Sequence, residues 1–291
     1  MSDEDSFREK SGREFKFTAQ DFKRVQKLIY DHAGISLSES KQELVYSRLS
    51  RRLRATGIRS FEEYLSLLEN DDEAEWESFT NALTTNLTAF FREAHHFQLL
   101  SEQMRKHRGS DPFAIWCSAA STGEEPYSIA MTAVDTFGTF TPPVTIIATD
   151  LDTNVLETGK AGIYPENRVD KMDPDMVKRF FLRGTGKQEG YVRVRKELRD
   201  LITFRQLNLL DKNWPLRSQL DVIFCRNVMI YFDKATQLEI LRKFVPLLRH
   251  DGLLYAGHSE SFYHADAYFK LRGKTVYELA KTVKEQRGAG K

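Results

Sequence analysis

From Phe113 onward, short apolar runs alternate with longer runs of helical periodicity, and this alternation limits the possible folds more than any other feature. Apolar strands that alternate with helices form a mainly parallel sheet covered on both faces. Two short runs around Arg272–Lys274 add an antiparallel edge. The predicted strands are Phe113–Ala120, Thr145–Asp150, Leu201–Leu207, Asp221–Cys225 and Leu253–Gly257, and the predicted helices are 124–137, 153–160 and 234–248.

One segment interrupts the alternation. Gly184, Gly186 and Gly190 mark turns, and the run Tyr191–Arg195 alternates apolar with polar side chains. Such a pattern indicates a short antiparallel hairpin. We therefore predict a small antiparallel β-subdomain at about 179–203, inserted into the α/β domain, with a plain connector as the alternative.

The N-terminal part of the chain shows only helical periodicity. Apolar residues recur at Phe22, Val25 and Leu28, and Gly34 supplies a stop. We predict an all-helical domain at 15–80, a linker at 81–95 and the α/β domain at 96–282. The polar ends, 1–14 and 283–291, are predicted to be disordered.

Charge is segregated inside the helical region. Residues 41–59 are basic with Glu43 as the single acid, whereas residues 60–79 carry only acidic charges. Two solvated helix faces explain this pattern as well as a basic helix that docks on an acidic partner does. The docking hypothesis names Arg48, Arg51, Arg52, Arg54 and Arg59.

Composition excludes several classes of protein. The formal net charge is +1, so no overall positive field favours nucleic acid. No apolar run approaches the roughly 18 residues of a membrane-spanning helix, and the start of the chain lacks the apolar core of a signal peptide. The two cysteines, Cys117 and Cys225, lie in apolar strands without a Cys/His cluster and are predicted to be buried thiols. We expect a cytoplasmic, monomeric protein without membrane insertion.

The turn after the first predicted strand, Ser118–Ser128, has the sequence SAASTGEEPYS. Thr122 and Glu125 have the spacing of a helix capping box, as do Ser121 and Glu124, so a glutamate here has a structural explanation. A helix start that follows a strand is also a common anion site. Two carboxylates would repel a pyrophosphate and would suit a ligand with cationic groups, such as the ammonium and sulfonium of S-adenosylmethionine.

Asp150 ends the second predicted strand. An acid at this place holds ribose hydroxyls in many nucleoside-binding α/β folds, although its distance from Gly123 exceeds the usual spacing of about 20 residues. Asp150 or Asp152 also fits the role of a cap for the following helix. Both interpretations stay open at this point.

Arg92 lies in the segment 84–100, whose apolar stripe predicts a helix around it. In the first turn of that helix a cation would oppose the helix dipole. Either a nearby glutamate compensates Arg92 or the side chain contacts a ligand. The neighbouring His95 and His96 point about 100° apart on a helix, and no further ligand spacing accompanies them, so we predict no metal site.

The fourth predicted strand runs directly into Arg226 and Asn227, followed by Tyr231. Polar residues at the carboxyl end of a strand lie at the ligand crevice of an open α/β sheet. Tyr231 is therefore a candidate for substrate contact, with core packing as the alternative.

Taken together, these stretches resemble the chemotaxis receptor methyltransferases of the CheR family. The resemblance covers about residues 20–280 in the order of the family, through LTTNLTAFFRE, SAASTGEEPYSIA, ATDLDTNVLE, GIYPE, FCRNVMIYFD and LLYAGHSE. It implies an all-helical N-terminal domain and a Rossmann-like α/β methyltransferase domain with a small β-subdomain. It also implies methyl transfer from S-adenosylmethionine to glutamate side chains of chemoreceptors, giving methyl esters and S-adenosylhomocysteine.

The resemblance further implies roles for individual residues. Arg92 and Tyr231 would lie closest to the transfer. Gly184, Gly190 and Arg193 would dock a peptide at the C-terminus of the receptor. Contact with the cofactor is implied for Asn86, Thr88, Arg92, Glu125, Asp150, Asn208, Leu209, Arg226 and Asn227.

The implied chemistry fits the residues present. A glutamate carboxylate, with a reference pKa near 4.3, is already a nucleophile at pH 7 and needs no general base. The remaining alternatives are a nucleic-acid methyltransferase that uses the Arg-rich helix on phosphates, and a protein that senses the cofactor without catalysis.

Overall fold

The computed structural model describes residues 13–70, 73–84, 86–216 and 219–288. These residues form two compact units. The first contains the residues up to 84 together with Tyr231–Asp233, and the second contains the rest. No helix within the described ranges is long and apolar enough to span a bilayer.

The first unit is all-helical, as the periodicity predicts. Helix α1 begins at a capping box in which Thr18 and Asp21 bond each other's backbone, and it ends at Gly34 in the left-handed conformation. Gly57 ends the second helix in the same way. The helices are α1 (Ala19–Ala33), α2 (Gln42–Thr56), α3 (Phe61–Glu69) and α4 (Glu73–Leu83).

The interior of this unit combines apolar packing with one buried polar network. Arg52 makes a two-point contact with Glu75, through Nε at 3.0 Å and Nη2 at 2.8 Å. The hydroxyl of Tyr64 donates to the same carboxylate at 2.5 Å. Because Tyr64 is fully buried and Glu75 nearly so, this network ties α2 to α3 and α4 through their polar groups.

The second unit is built on a seven-stranded sheet with the order β6-β2-β1-β7-β8-β10-β9. The first five strands in that order pair in parallel, and β10 pairs antiparallel with β8 and β9. This arrangement confirms the mainly parallel sheet with an antiparallel edge. Its strands are β1 (Phe113–Cys117), β2 (Val144–Asp150), β6 (Ile202–Gln206), β7 (Leu220–Cys225), β8 (Leu248–Ala256), β9 (Phe269–Gly273) and β10 (Val276–Leu279).

Helices cover this sheet, and every residue of the central strand β7 is buried. The buried cysteines confirm the prediction of internal thiols. The helices of the unit are α5 (His95–Lys106), α6 (Glu124–Phe137), α7 (Thr153–Ala161), α8 (Pro174–Phe180), α9 (Lys196–Arg199), α10 (Lys234–Leu247) and α11 (Lys281–Gly288).

The inserted β-subdomain has three antiparallel strands in the order β3-β5-β4, namely β3 (Ile163–Pro165), β4 (Phe181–Arg183) and β5 (Tyr191–Val194). Strand β3 precedes the range 179–203 in which the hairpin was predicted. The sequence signal missed it because a three-residue strand shows too little alternation to be recognised.

Three local predictions differ from the structure. Helix α5 begins only at His95, so Arg92 lies in the preceding turn and not in a first helical turn. Helix α6 has Gly123 as its N-cap, with φ at 99°, and no side chain caps it as the capping-box spacing suggested. Residues 283–288, predicted to be disordered, belong to α11. The predicted disorder of 1–12 and 289–291 lies outside the described residues.

Candidate active site

The candidate site lies at the carboxyl edge of the parallel strands, where β1, β2, β7 and β8 all end. Parallel strands bring their following loops to one edge of a sheet, and open α/β folds bind ligands there. The loops carry Ser118–Gly123, Asp150, Arg226–Asn227 and Gly257–Glu260. Most of the residues singled out from the sequence are therefore brought to this edge by topology alone.

A buried arginine forms the centre of the site. The guanidinium of Arg226 contacts Glu125 Oε2 through Nη1 at 2.5 Å and lies 3.3 Å from Glu93 Oε2 through Nη2. The same Nη2 donates to the carbonyl of Arg92 at 2.6 Å. The side chain of Arg226 is fully buried, and those of Glu93 and Glu125 are 10% exposed. Because buried charge is costly unless paired, Arg226 and its two carboxylates stabilise one another.

The negative charge at the start of α6 is thus compensated inside the protein. Glu125 pairs with Arg226, and its Oε1 accepts a bond from the thiol of Cys117 at 3.2 Å. Glu124, which is fully buried, pairs with Arg168 and accepts a bond from Thr122. The predicted capping box is wrong, because both carboxylates turn to these partners rather than to the backbone of the helix start. Burial raises the pKa of Glu125, and the charge of Arg226 opposes that rise.

Asp150 lies at the end of β2, beside the loop that follows β1. Its Oδ2 accepts from the amide of Ser121 at 2.8 Å, and its Oδ1 accepts from the amide of Asp152 at 3.0 Å. Burial raises the pKa of Asp150 to about 6 despite these bonds. Asp152 is the residue that caps α7, so the alternative role of helix cap belongs to it and not to Asp150.

Asn86 and Thr88 lie in the segment before α5, which contacts the loops after β1 and β2. The amide of Asn86 donates to Asp152 Oδ2 at 2.8 Å, and its carbonyl accepts from the hydroxyl of Ser121 at 3.1 Å. The carbonyl of Thr88 accepts from Arg168 Nη2 at 3.1 Å. Both residues are half-buried. The segment before α5 is therefore fastened to the loops after β1 and β2.

Asn208 and Leu209 follow β6, next to β2 in the sheet. Asn208 Oδ1 accepts from the amide of Leu210 at 2.9 Å, and its carbonyl accepts from Trp214 Nε1 at 3.2 Å. Leu209 is buried. This compact turn borders the same edge of the sheet as Asp150.

Sequence reasoning missed Glu260, which shapes the loop after β7. Its buried carboxylate accepts four backbone bonds, from Asn227, Val228, Met229 and Gly257, at 2.5–3.0 Å. Asn227 itself has a φ of 59°, which is uncommon for a residue with a side chain. A Cβ on Gly257 would lie 2.3 Å from Asn227 Nδ2, so glycine is required there. The signal available in the sequence was the glutamate of LLYAGHSE, three of whose four partners lie about thirty residues earlier.

Two sets of predicted residues belong to other parts of the fold. Tyr231 groups with the helical unit, where its carbonyl accepts from the amide of Ser36 at 2.8 Å. Gly184, Gly190 and Arg193 lie in the small sheet. Gly184 has a structural reason to be glycine, because a Cβ would lie 1.9 Å from the carbonyl oxygen of Gln188, and Gly190 has a φ of 83°.

The arginines of α2 and of the loop that follows it fall into two groups. Arg48 donates to the carbonyls of Ala82 and Thr84, Arg52 binds Glu75, and Arg54 pairs with Glu14 at 3.0 Å. Arg51 and Arg59 are exposed and make no ion pair within the described parts of the chain. Of the five arginines named in the docking hypothesis, only these two can contact a partner without breaking an internal contact.

The charges at the site suit a cationic ligand. Among the described residues, the carboxylates at this edge (Glu93, Glu125, Asp150, Asp152 and Glu260) outnumber the guanidinium groups (Arg92 and Arg226), and Glu124 is balanced by Arg168, so the local charge is negative. S-adenosylmethionine carries an ammonium, a sulfonium and a carboxylate, and therefore one net positive charge. The residues present fit this cofactor, and they fit a dinucleotide pyrophosphate poorly.

Comparison with known proteins agrees with this geometry. The family model described as CheR methyltransferase, all-alpha domain, matches residues 20–84, and the model described as CheR methyltransferase, SAM binding domain, matches residues 86–278. The chain is 54% identical over 261 residues to the chemotaxis protein methyltransferase of Escherichia coli, covering 89% of this chain and 91% of that protein. It is 54% identical to chemotaxis protein methyltransferase 2 of Pseudomonas aeruginosa (92% and 96% covered) and 55% identical to the Klebsiella aerogenes protein (89% of each). The chain therefore belongs to the CheR family of S-adenosylmethionine-dependent chemotaxis methyltransferases.

Proposed function

We propose that the protein transfers methyl groups from S-adenosylmethionine to glutamate side chains of chemoreceptors, forming glutamate methyl esters. The finding that carries this proposal is the match along nearly the whole chain to proteins named chemotaxis protein methyltransferase. The net charge of +1 and these relatives do not favour a nucleic-acid substrate.

The proposed reaction does not require the protein to transfer a proton. The bound cofactor supplies an electrophilic methyl group whose bond to sulfur breaks as an oxygen of the substrate glutamate bonds to carbon. An ionised carboxylate attacks without losing a proton. The positive charge on sulfur and the negative charge on the carboxylate cancel, so the protein must mainly orient the reactants and partly exclude water.

Residues at the sheet edge provide the binding contacts in this proposal. Asp150 accepts hydrogen bonds from the ribose hydroxyls, while Asn208 and Leu209 border the adenine. Glu125 and Arg226 bind the amino-acid end with opposite charges. Asn86, Thr88 and Asn227 complete the pocket from its two sides.

Arg92 and Tyr231 act closest to the transferred methyl group in this proposal. A tyrosine hydroxyl orients a carboxylate without strongly stabilising it, which matters because strong stabilisation of the nucleophile would slow the attack. Arg92 has its backbone fixed by Arg226 and its side chain bonded to the carbonyl of Leu87 at 2.9 Å.

The exposed arginines of α2 and of the loop after it give the protein a surface for the acidic substrate region. Arg51 and Arg59 remain available because the other arginines of the cluster bind internal partners. Long-range attraction by such exposed charges raises the rate of encounter and weakens with salt. We propose that this pair faces the methylated helices of the receptor.

The small sheet offers a second contact, to the C-terminal tail of a receptor. Strand β5 is central, so an added peptide strand must pair with the edge of β3 or β4. Arg193 stands between Ile163 and Leu182 in the register, and all three side chains are exposed. A cleft of about 570 Å³ borders β4 and is lined by apolar Val169, Met172, Val177 and Phe181, by the basic Lys178 and Arg183, and by the acidic Glu166 and Asp170, of which Glu166 pairs with Arg183. Such a cleft accepts an apolar side chain of an extended peptide, and the basic groups suit its carboxylate.

The identity of the product tests the proposed function. Receptor-bearing membranes would be incubated with the protein and with cofactor labelled in its methyl group. We expect label in the receptor that mild alkali releases as methanol, because carboxyl esters hydrolyse readily. Alkali-stable label, or label in nucleic acid alone, would show that glutamate is not the acceptor.

The first prediction concerns Asp150. Replacing Asp150 with Asn should weaken binding of S-adenosylhomocysteine by roughly 10- to 100-fold, since a hydrogen bond to a charged group contributes about 1.5–3 kcal/mol. The ionised carboxylate is the better acceptor and its pKa is about 6, so wild-type affinity should fall as the pH decreases through 6. Calorimetry at pH 5 and pH 7.5 measures both effects, and an equal pH dependence in wild type and variant would exclude Asp150 from the ribose site.

The second prediction separates orientation from binding. Tyr231→Phe removes only a hydroxyl and keeps the backbone contact with Ser36. We expect kcat to fall at least tenfold, or by about 1.4 kcal/mol of transition-state stabilisation, with cofactor affinity nearly constant. Steady-state kinetics with unchanged kcat would return Tyr231 to a packing role.

The third prediction concerns the two exposed arginines, Arg51 in α2 and Arg59 in the loop after it. The double reversal Arg51→Glu and Arg59→Glu should raise KM for intact receptor several-fold and reduce the salt dependence of kcat/KM, because the attracting charges change sign. The double reversal Arg105→Glu and Lys106→Glu, on exposed residues of α5, changes the net charge equally and serves as the control. Equal effects of the two double variants would mean that total charge, not this surface, matters.

The fourth prediction concerns tail docking. Arg193→Glu should weaken binding of a receptor tail peptide, measured by fluorescence anisotropy, because repulsion replaces attraction to the peptide carboxylate. Turnover on saturating receptor without a tail should stay at the wild-type level, since tethering only raises local concentration. Full tail affinity combined with lost turnover would assign the small sheet to the methyl transfer itself.

A further inference from the structure

Glu93 occupies an unusual position next to the proposed transfer site. It lies in the turn between Ala89 and helix α5 with a φ of 57°, in the left-handed region that favours glycine. Phe91, two residues earlier, also has a positive φ, at 52°. A strained backbone of this kind persists only where surrounding contacts hold it, and such positions are frequent at functional sites.

The carboxylate of Glu93 connects the ends of two strands. Its Oε1 lies 3.2 Å from the amide of His258 and 3.0 Å from the ring Nδ1 of the same residue, after β8. Its Oε2 lies 3.3 Å from Arg226 Nη2, after β7. One carboxylate thus links the segment that carries Arg92 to both strand ends.

Through Arg226, Glu93 also acts on its neighbour in the chain, Arg92. Arg226 Nη2, which Glu93 attracts, donates to the carbonyl of Arg92 at 2.6 Å. The other terminal nitrogen, Nη1, is held by Glu125. Glu93 therefore fixes the direction of the Arg226 edge that holds Arg92, whereas Glu125 fixes the other edge.

The carboxylate of Glu93 is held in its ionised form. Burial alone would raise its pKa, but the bonds from His258 and the charge of Arg226 lower the pKa to about 2. Glu93 is thus ionised at neutral pH; its Oε1 is bonded to His258, and its Oε2 has the ion-pair contact with Arg226 but no hydrogen bond within the described structure.

We propose that Glu93 is a positioning residue for methyl transfer, which holds Arg92 in place through Arg226. The proposal deepens the proposed function and relies on it only for the acceptor used in the assay. It accounts for a carboxylate beside the site that contacts two strand ends, and it explains the strained backbone as the result of placing that carboxylate between them.

A metal ion is the main alternative for this carboxylate. Ligand atoms of Glu93, His95 and His96 lie within 4.8 Å of one another, and within the described structure Glu93 Oε2 and His96 Nδ1, 3.6 Å apart, are both buried without a hydrogen-bond partner. However, Arg226 already supplies a positive charge to Glu93 Oε2, and a divalent cation there would be repelled by it. The two explanations differ in their response to chelators.

Two substitutions test the proposal because one keeps the backbone strain at residue 93 and the other relieves it. Glu93→Gln keeps the shape and the strain but removes the charge. Glu93→Gly removes the side chain and relieves the left-handed strain, so it should preserve folding. Both should lower kcat by 10- to 100-fold while the Kd of S-adenosylhomocysteine changes by less than threefold, since Asp150 and Glu125 remain.

Two controls accompany these variants. Glu102→Gln, on an exposed residue of α5, should behave as wild type. His258→Ala removes one partner of Oε1 but leaves the contact with Arg226, and should lower kcat by less than threefold. Thermal unfolding and circular dichroism establish that each variant is folded.

The outcomes are distinct. The proposal is overturned if either Glu93 variant keeps more than half of the wild-type kcat, or if Kd rises in parallel with the loss of kcat. It is also overturned if His258→Ala matches the Glu93 variants, which would point to proton transfer by His258, or if dialysis against EDTA abolishes wild-type activity and Zn²⁺ restores it. If wild-type protein forms no alkali-labile ester, the proposed function fails instead, and the Glu93 variants are then compared on whichever acceptor the wild type methylates.

Discussion

The buried guanidinium of Arg226 is the constraint on which the rest of the site depends. A charge at the end of a fully buried strand must be paired, and Arg226 finds Glu125 at the start of α6 and Glu93 before α5. The three groups come from distant parts of the chain and from the ends of different elements. Their pairing therefore fixes how the segment before α5, the first helix after β1 and the loop after β7 lie against one another.

The shape of the site is set largely by backbone loops, and buried carboxylates hold these loops in place. Glu260 binds four amides around the loop after β7, and Asp150 binds two amides at the loops after β1 and β2. Each carboxylate replaces water for groups that would otherwise be buried without partners. The loops are thereby set before a ligand arrives, as efficient orientation of two reactants requires.

The electrostatic balance follows from the same pairs. Glu124 is neutralised by Arg168 and Glu125 by Arg226, so the two adjacent glutamates do not simply present negative charge to a ligand. The excess of negative charge arises from the whole set, which includes Glu93, Asp150, Asp152 and Glu260. A cationic cofactor is preferred because of this sum rather than because of any single carboxylate.

Local periodicity was enough to predict the main sheet and helices α6, α7 and α10. Helix α6 was predicted at 124–137 and lies there, and β2 differs from its prediction by one residue, because apolar spacing reports which face of an element is buried. Contacts between distant residues were not predictable in this way. The partner of Glu125 lies 101 residues away, so a capping box was the only local explanation available and it is wrong.

The position of Arg92 illustrates the same limit. The apolar stripe from Phe90 to Phe97 continues into the turn before α5, so periodicity extended the helix too far toward the N-terminus. Left-handed backbone at Phe91 and Glu93 breaks it instead, and the reason is the reach of Glu93 to Arg226 and His258. Tertiary contacts override local propensity at this kind of site.

The most direct test of the central role of Arg226 is a double-mutant cycle with Glu125, read by the affinity for S-adenosylhomocysteine. Calorimetry would be applied to Glu125→Gln, Arg226→Gln and the double variant. If the buried pair organises the cofactor site, each single change leaves an unpaired partner and the double change costs less than the sum, with a coupling of about 1.5 kcal/mol or more. Losses that add to within about 0.5 kcal/mol would contradict the account, because the two side chains would then act independently.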